Sequence, residues 1–84
     1  MWIMEKLCAL LPGQRATVLG LENQEPLRRR LMELGLVSGT EVMCLGRSPG
    51  GDPAAYRVRG AVIALRAADC ARIIVEKEEI HKWD

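Results

Sequence analysis

Leu27-Arg28-Arg29-Arg30-Leu31-Met32-Glu33-Leu34-Gly35-Leu36 is the stretch on which the fold turns. Leu27, Leu31 and Leu34 recur at i, i+4 and i+7, the spacing that aligns one apolar stripe along a helix. Asn23 stands where an N-cap would, and Pro26 falls in the first turn, where a missing N–H costs little. Gly35 occupies the place of the left-handed residue that ends many helices, and Leu36 beyond it is set to pack on Leu31. A short helix with its stop written into it is therefore expected here.

Nothing on either side reads as a helix. Residues 15–21, 40–45, 54–59, 61–66 and 72–75 are each rich in Val, Ile, Leu, Thr or Tyr and each about as long as a typical strand. Turn signals separate them at Pro12-Gly13, Ser38-Gly39, residues 48–53 and Gly60. Ala16 and Val18 share one face, with Gly20 next in line, and Tyr56 with Val58 opposes Arg57 with Arg59, so one face of each strand turns inward and the arginines meet water. Five short strands in so small a chain predict a mainly β domain, a closed or nearly closed barrel with one short helix inserted after the first strand. Gly13, Gly35, Gly39 and Asp52 are expected to be structural, the glycines at turns or at the helix stop and Asp52 as the initiator of a turn with Pro53.

Composition narrows the function. With 84 residues, 49% of them hydrophobic, the chain has room for one domain near the lower size limit for independent folding. Most inward side chains are then needed to fill the core, which leaves little for an enclosed active site. There is one histidine, no GxSxG, no HExxH and no cysteine with a histidine at a fixed spacing, so no catalytic constellation can be assembled and no enzyme is expected. The glycine-rich residues 46–53 lack the GK[ST] ending of a phosphate loop. Twelve Lys plus Arg against eleven Asp plus Glu give a formal charge of +1, too little to draw the whole molecule to nucleic acid or anionic lipid. The apolar runs are too short to span a bilayer, and residues 1–11 carry Glu5 and no signal-peptide core, which points to the cytoplasm. Cys8, Cys44 and Cys70 form neither a disulfide framework nor a zinc-knuckle spacing, in keeping with a reducing compartment.

Two charged clusters invite a functional reading. Arg28, Arg29 and Arg30 sit in the early half of the helix, where the positive end of the macrodipole disfavours cations, and Glu33 offers only partial relief. A solvated basic face is the plainer account. The functional one is a partner-binding set of Arg28, Arg29, Arg30 and Glu33 that docks an acidic surface or a phosphate group. Residues 77–84 read as a charged extension beyond a barrel of residues 1–76. Within it Glu78, His81 and Asp84 lie three apart, a set able to meet a divalent ion were the tail helical, though a terminal segment preorganises little. No cofactor is called for beyond such a weakly bound divalent metal.

Residues 10–18 around Pro12-Gly13, then residues 27–42 with Leu34-Gly35-Leu36 and Ser38-Gly39, then Gly51-Asp52-Pro53 and Ile63-Ala64-Leu65-Arg66, together resemble the FeoA family. The resemblance runs in this order over nearly the whole chain and leaves residues 1–4 and 76–84 outside it. It implies an SH3-like barrel with the helix after the first strand. It also implies a non-catalytic accessory of bacterial ferrous iron uptake that contacts the cytosolic region of the FeoB transporter, and so meets the membrane only through that transporter. Direct binding of Fe²⁺, as a chaperone or sensor, is the alternative, and nucleic acid is not expected as a partner. Peptide capture of the eukaryotic SH3 kind is disfavoured, because its groove is lined by aromatics and this chain has no Phe, one Tyr and two Trp near its termini. The sequence leaves open whether two copies pair as a homodimer.

Overall fold

Alternation along the strands decides which side chains the sheet buries. In the computed structural model, which describes residues 1–78, six strands are joined by one 3₁₀ turn and two helices. In chain order these are β1 (Trp2–Lys6), the 3₁₀ turn (Leu7–Ala9), β2 (Arg15–Leu21), α1 (Leu27–Glu33), β3 (Glu41–Arg47), β4 (Ala54–Val58), β5 (Ala61–Leu65), α2 (Ala67–Cys70) and β6 (Ile73–Glu78). The strands form one antiparallel sheet in the order β1-β6-β2-β3-β4-β5. Ala16 and Val18, Val42 and Cys44, Tyr56 and Val58, and Ile73 and Val75 all point to its inner face, where they meet Leu7, Leu10, Leu31 and Leu36 in a single core. Register shifts after Val18 in β2 and after Cys44 in β3 each insert an extra residue, which sharpens the local twist that curls the sheet.

The mainly β fold with an inserted helix is present, and it has one strand more than the five expected. Strand β1 pairs with β6 from Trp2↔Glu78 to Lys6↔Ile74, so α1 follows the second strand of the chain. Its pattern is inverted: Trp2 and Met4 face out while Ile3 and Glu5 face in. The inward Glu5 carboxylate lies 3.2 Å from the Lys77 ammonium, so an ion pair sits where an apolar pair would have announced the strand. Strand β6 accordingly runs through Lys77 and Glu78, two residues into the segment read as an extension.

Helix α1 starts differently from the sequence reading and stops as Gly35 and Leu36 dictate. Asn23 is buried, and its amide donates to the Asp69 carbonyl at 3.0 Å, tying the approach to α1 onto α2 instead of capping α1. The Glu25 carboxylate takes the capping task by accepting the Arg29 N–H at 2.9 Å. At the other end the Leu36 N–H donates to the Leu31 carbonyl and the Gly35 N–H to that of Met32, both at 3.0 Å, with Gly35 at φ +110°. This is the paired 6→1 and 5→2 bonding of a Schellman ending. Leu31 and Leu36 are fully packed, whereas Leu34 is 44% exposed, because the Leu27 and Leu34 side of the helix skirts the core that Leu31 enters.

Two further contacts hold the loops. The Asp52 carboxylate accepts the Ala67 N–H at 3.0 Å and so caps α2, a one-turn helix not foreseen from the sequence. Arg47 Nη2 donates to the carbonyls of Cys8 at 2.9 Å and Leu10 at 2.8 Å, which straps the end of β3 across the 3₁₀ turn. Arg59 leaves the strand it was assigned to: with φ +51°, followed by Gly60 at φ +80°, it forms the two-residue turn between β4 and β5. Two positive φ angles in succession match the twist of an antiparallel hairpin.

Candidate functional site

Helix α1 divides the arginine cluster into two flanks. Leu31 anchors the helix in the core, which leaves Arg28, Arg29, Arg30 and Glu33 exposed. Arg29, Arg30 and Glu33 line a shallow hollow with Pro26 and Leu27. Arg28 lies on the other flank with Met32, beside Leu19, Leu21 and Val37. Met32, 38% exposed, and Leu34 stand among these charges, so the helix offers guanidinium groups around apolar side chains. Arginine and methionine are enriched in protein interfaces for this combination of contact area and adaptable hydrogen bonding.

A second basic group, not assembled by the sequence reading, lies on the outer face of the sheet. The register Arg15↔Met43↔Arg57 sets two arginines either side of a methionine across β2, β3 and β4, and Arg59 joins them from the hairpin turn. Alternation alone shows that Arg57 faces away from Tyr56. Only the strand pairing shows that Arg15 is its neighbour.

The metal reading rests largely on residues outside those described, since His81 and Asp84 fall there. Glu78 ends β6 opposite Trp2. Among the described residues no group of three His, Cys, Asp or Glu side chains is placed to hold a metal ion. Cys44 and Cys70 are buried free thiols and Cys8 is half-buried. Burial raises the Cys70 pKa above that of an ordinary thiol, and burial followed by the contact with Cys70 raises the Tyr56 phenol above its usual value. Cys70 therefore stays a neutral thiol at neutral pH, a poor nucleophile and a poor ligand.

Gly13, Gly35 and Gly39 all have positive φ, and of these Gly35 is the one pressed against other parts of the fold. Among the described residues no helix is long and apolar enough to cross a membrane.

Comparison with known proteins adds the family. The FeoA domain matches residues 5–77. A fusion protein of Porphyromonas gingivalis, Fe(2+) transport protein A joined to the Fe(2+) transporter FeoB, is 32% identical over 71 residues, which make up 84% of this chain and 8% of that protein. The solution structure of the FeoA protein from Chlorobium tepidum is 34% identical, with a TM-score of 0.84 over 94% of this chain and 80% of that one. The crystal structure of Stenotrophomonas maltophilia FeoA complexed with zinc, described as a procaryotic SH3 domain protein, is 30% identical, with a TM-score of 0.77 over 86% of this chain and 94% of that one. The six-stranded curled sheet with its inserted helix is thus the SH3-like FeoA fold, and the chain belongs to the FeoA domain family, non-catalytic accessory domains of ferrous iron transport.

Proposed function

We propose that this chain acts in the cytoplasm by direct contact with the cytosolic region of FeoB, and that α1 supplies the contact through Arg28, Arg29, Arg30 and Glu33. The observation that carries this reading is the P. gingivalis fusion, in which a segment 32% identical to this chain shares one polypeptide with FeoB. Covalent linkage of two modules raises their effective concentration and suits partners that meet in function. The exposed arginines around Met32 and Leu34 fit an acidic surface with an apolar centre. The test is binding of the purified chain to the cytosolic region of FeoB, beside a variant with Arg28, Arg29 and Arg30 all changed to alanine. Binding by the parent and its loss in a still-folded variant support the reading. Equal binding by both refutes the assignment to α1, and no binding by the parent refutes the contact itself.

Direct binding of a transition metal is a second reading, favoured by the zinc complex of the S. maltophilia relative. Titration with Fe²⁺ of the parent beside His81→Ala and Cys8→Ser variants decides it. Unchanged weak binding in all three removes it.

A further inference from the structure

Strand β5 ends the sheet, and its outer edge pairs with no other strand among the described residues. The hairpin fixes which main-chain groups lie on that edge. Arg59 and Gly60 form a two-residue turn, so the Val58↔Ala61 pair that closes it exchanges hydrogen bonds, and with it Tyr56↔Ile63 and Ala54↔Leu65. The N–H and C=O groups of Val62 and Ala64 therefore point away from β4, and no loop or turn among the described residues bonds them.

Sheet edges are ordinarily guarded by a charge, a proline or a bulge. Strand β1, at the other end of the sheet, has the inward Glu5 and the exposed Lys6. Residues Ala61-Val62-Ile63-Ala64-Leu65 have none of the three, and their register with β4 is unbroken. Val62 is 60% exposed, Ala61 and Ala64 are exposed and Ile63 is half-buried, so both faces beside this edge are open.

We propose that the β5 edge takes up an extended acidic segment of a partner protein as a further strand. The arginines decide the occupant. Arg57 lies beside Val62 in one row of the outer face, Arg59 stands at the turn and Arg66 follows β5 at its other end, all three exposed. Arg57 and Arg59 share with Arg15 a hollow whose one carboxylate is Glu41, and the Arg59 stem, resting against Gly35, stays at the head of the strand. Near Arg66 the Asp52 carboxylate is engaged by the Ala67 N–H. Net positive charge thus brackets an apolar edge. The same charges disfavour a second copy of β5. Antiparallel pairing about a two-fold axis at Ile63 sets Arg66 of one copy against Gly60 of the other, beside Arg59; an axis at Ala64 sets it against Val62, beside Arg57; an axis at Val62 brings both copies of Arg57 into one row. A fitting segment has Asp or Glu at its ends and apolar side chains beside Ala61 and Ile63, its main chain supplying affinity and its alternate side chains specificity. This edge is separate from α1, and the proposal does not rest on the role given to that helix.

Titration of the full chain with two synthetic peptides tests this. Both alternate valine with threonine; one is flanked by glutamates and the other by lysines. The glutamate peptide should bind, more tightly at low salt, and slow amide hydrogen exchange at Val62 and Ala64, while the lysine peptide should not bind. Val62→Pro removes an N–H that the fold leaves unpaired, so by circular dichroism it should remain folded while weakening the peptide about tenfold, the worth of a lost hydrogen bond or two. Arg57→Glu combined with Arg66→Glu should reverse the preference between the peptides. Failure of the glutamate peptide to bind overturns the proposal, as does equal binding of both peptides, or slowed exchange at β1 in place of β5. A parent dimer in sedimentation equilibrium that Val62→Pro dissolves also overturns it, with a second copy as the occupant. The exchange pattern in the parent decides the matter even if Val62→Pro fails to fold.

Discussion

Gly35 lies directly beneath the Arg59 side chain. A β-carbon at Gly35 would come within 3.1 Å of Arg59 Cδ and 3.2 Å of Val58 Cγ1. The end of α1 is thereby pressed onto the hairpin turn between β4 and β5, and the missing side chain serves two purposes: it permits φ +110° and it admits the arginine stem.

Gly35→Val should therefore be among the more damaging single changes in the chain. A left-handed conformation at a β-branched residue and the displacement of Arg59 and Val58 together should remove about 2–4 kcal/mol. For a domain of this size each kcal/mol lowers the melting temperature by roughly 4–8 °C. Thermal unfolding followed by circular dichroism reads the loss, and equal melting temperatures for variant and parent would refute it.

Asp52→Ala should destabilise the fold by about 1 kcal/mol through loss of the cap on α2, the usual magnitude for a carboxylate accepting a first-turn N–H. Asp52→Asn keeps an acceptor oxygen and should recover most of that. Urea unfolding of the three proteins distinguishes a cap from a mere turn former, for which Asn and Ala should both be mild.

Arg47→Lys should behave more like Arg47→Ala than like the parent. One guanidinium nitrogen spans the carbonyls of Cys8 and Leu10, and the compact ammonium of lysine sits too short to hold both. A loss of about 1–3 kcal/mol is expected for either variant, with faster amide hydrogen exchange confined to residues 7–10. Parent-like exchange there in Arg47→Ala would remove the strap from the account.

Stability should fall as pH rises through the alkaline range. The Cys70 thiol and Tyr56 phenol are both held protonated by burial, so their folded pKa values lie above the ordinary 9.0 and 10.0. Below those ordinary values both states are protonated and the full stability is present. Above them the unfolded chain releases protons that the folded chain retains, and unfolding becomes easier by about 1.4 kcal/mol per pH unit for each group. Urea midpoints measured from pH 8 to pH 10.5 should decline, and less so in Tyr56→Phe. A flat profile in the parent would contradict the burial argument.

What the sequence disclosed and what it withheld follow from local against distant causes. Residues 15–21 show their strand because apolar side chains alternate along it, and Gly35 with Leu36 shows the helix stop because the whole motif lies within six residues. Strand β1 was hidden because its inward positions hold Ile3 and Glu5, and Glu5 is acceptable there only because Lys77 faces it from the other end of the chain. Helix α2 was hidden for the same reason, its cap coming from Asp52, fifteen residues earlier. The arginines of α1 were legible as a cluster because they are consecutive. The grouping of Arg15 with Arg57 depends on register across three strands, which single-strand patterns do not encode.

The pairing of Trp2 with Glu78 has a topological consequence. Because β1 and β6 are antiparallel neighbours, the polypeptide arrives and departs at one pole of the barrel. Helix α1 springs from Leu21, at the far end of β2 from Arg15, and so emerges at the opposite pole. A tether attached through either end of the chain would hold the domain by the same pole and leave the arginine-bearing helix pointing away from the attachment. Seen from Trp2 and Glu78, attachment on either side is thus geometrically equivalent, since both begin at the pole remote from α1.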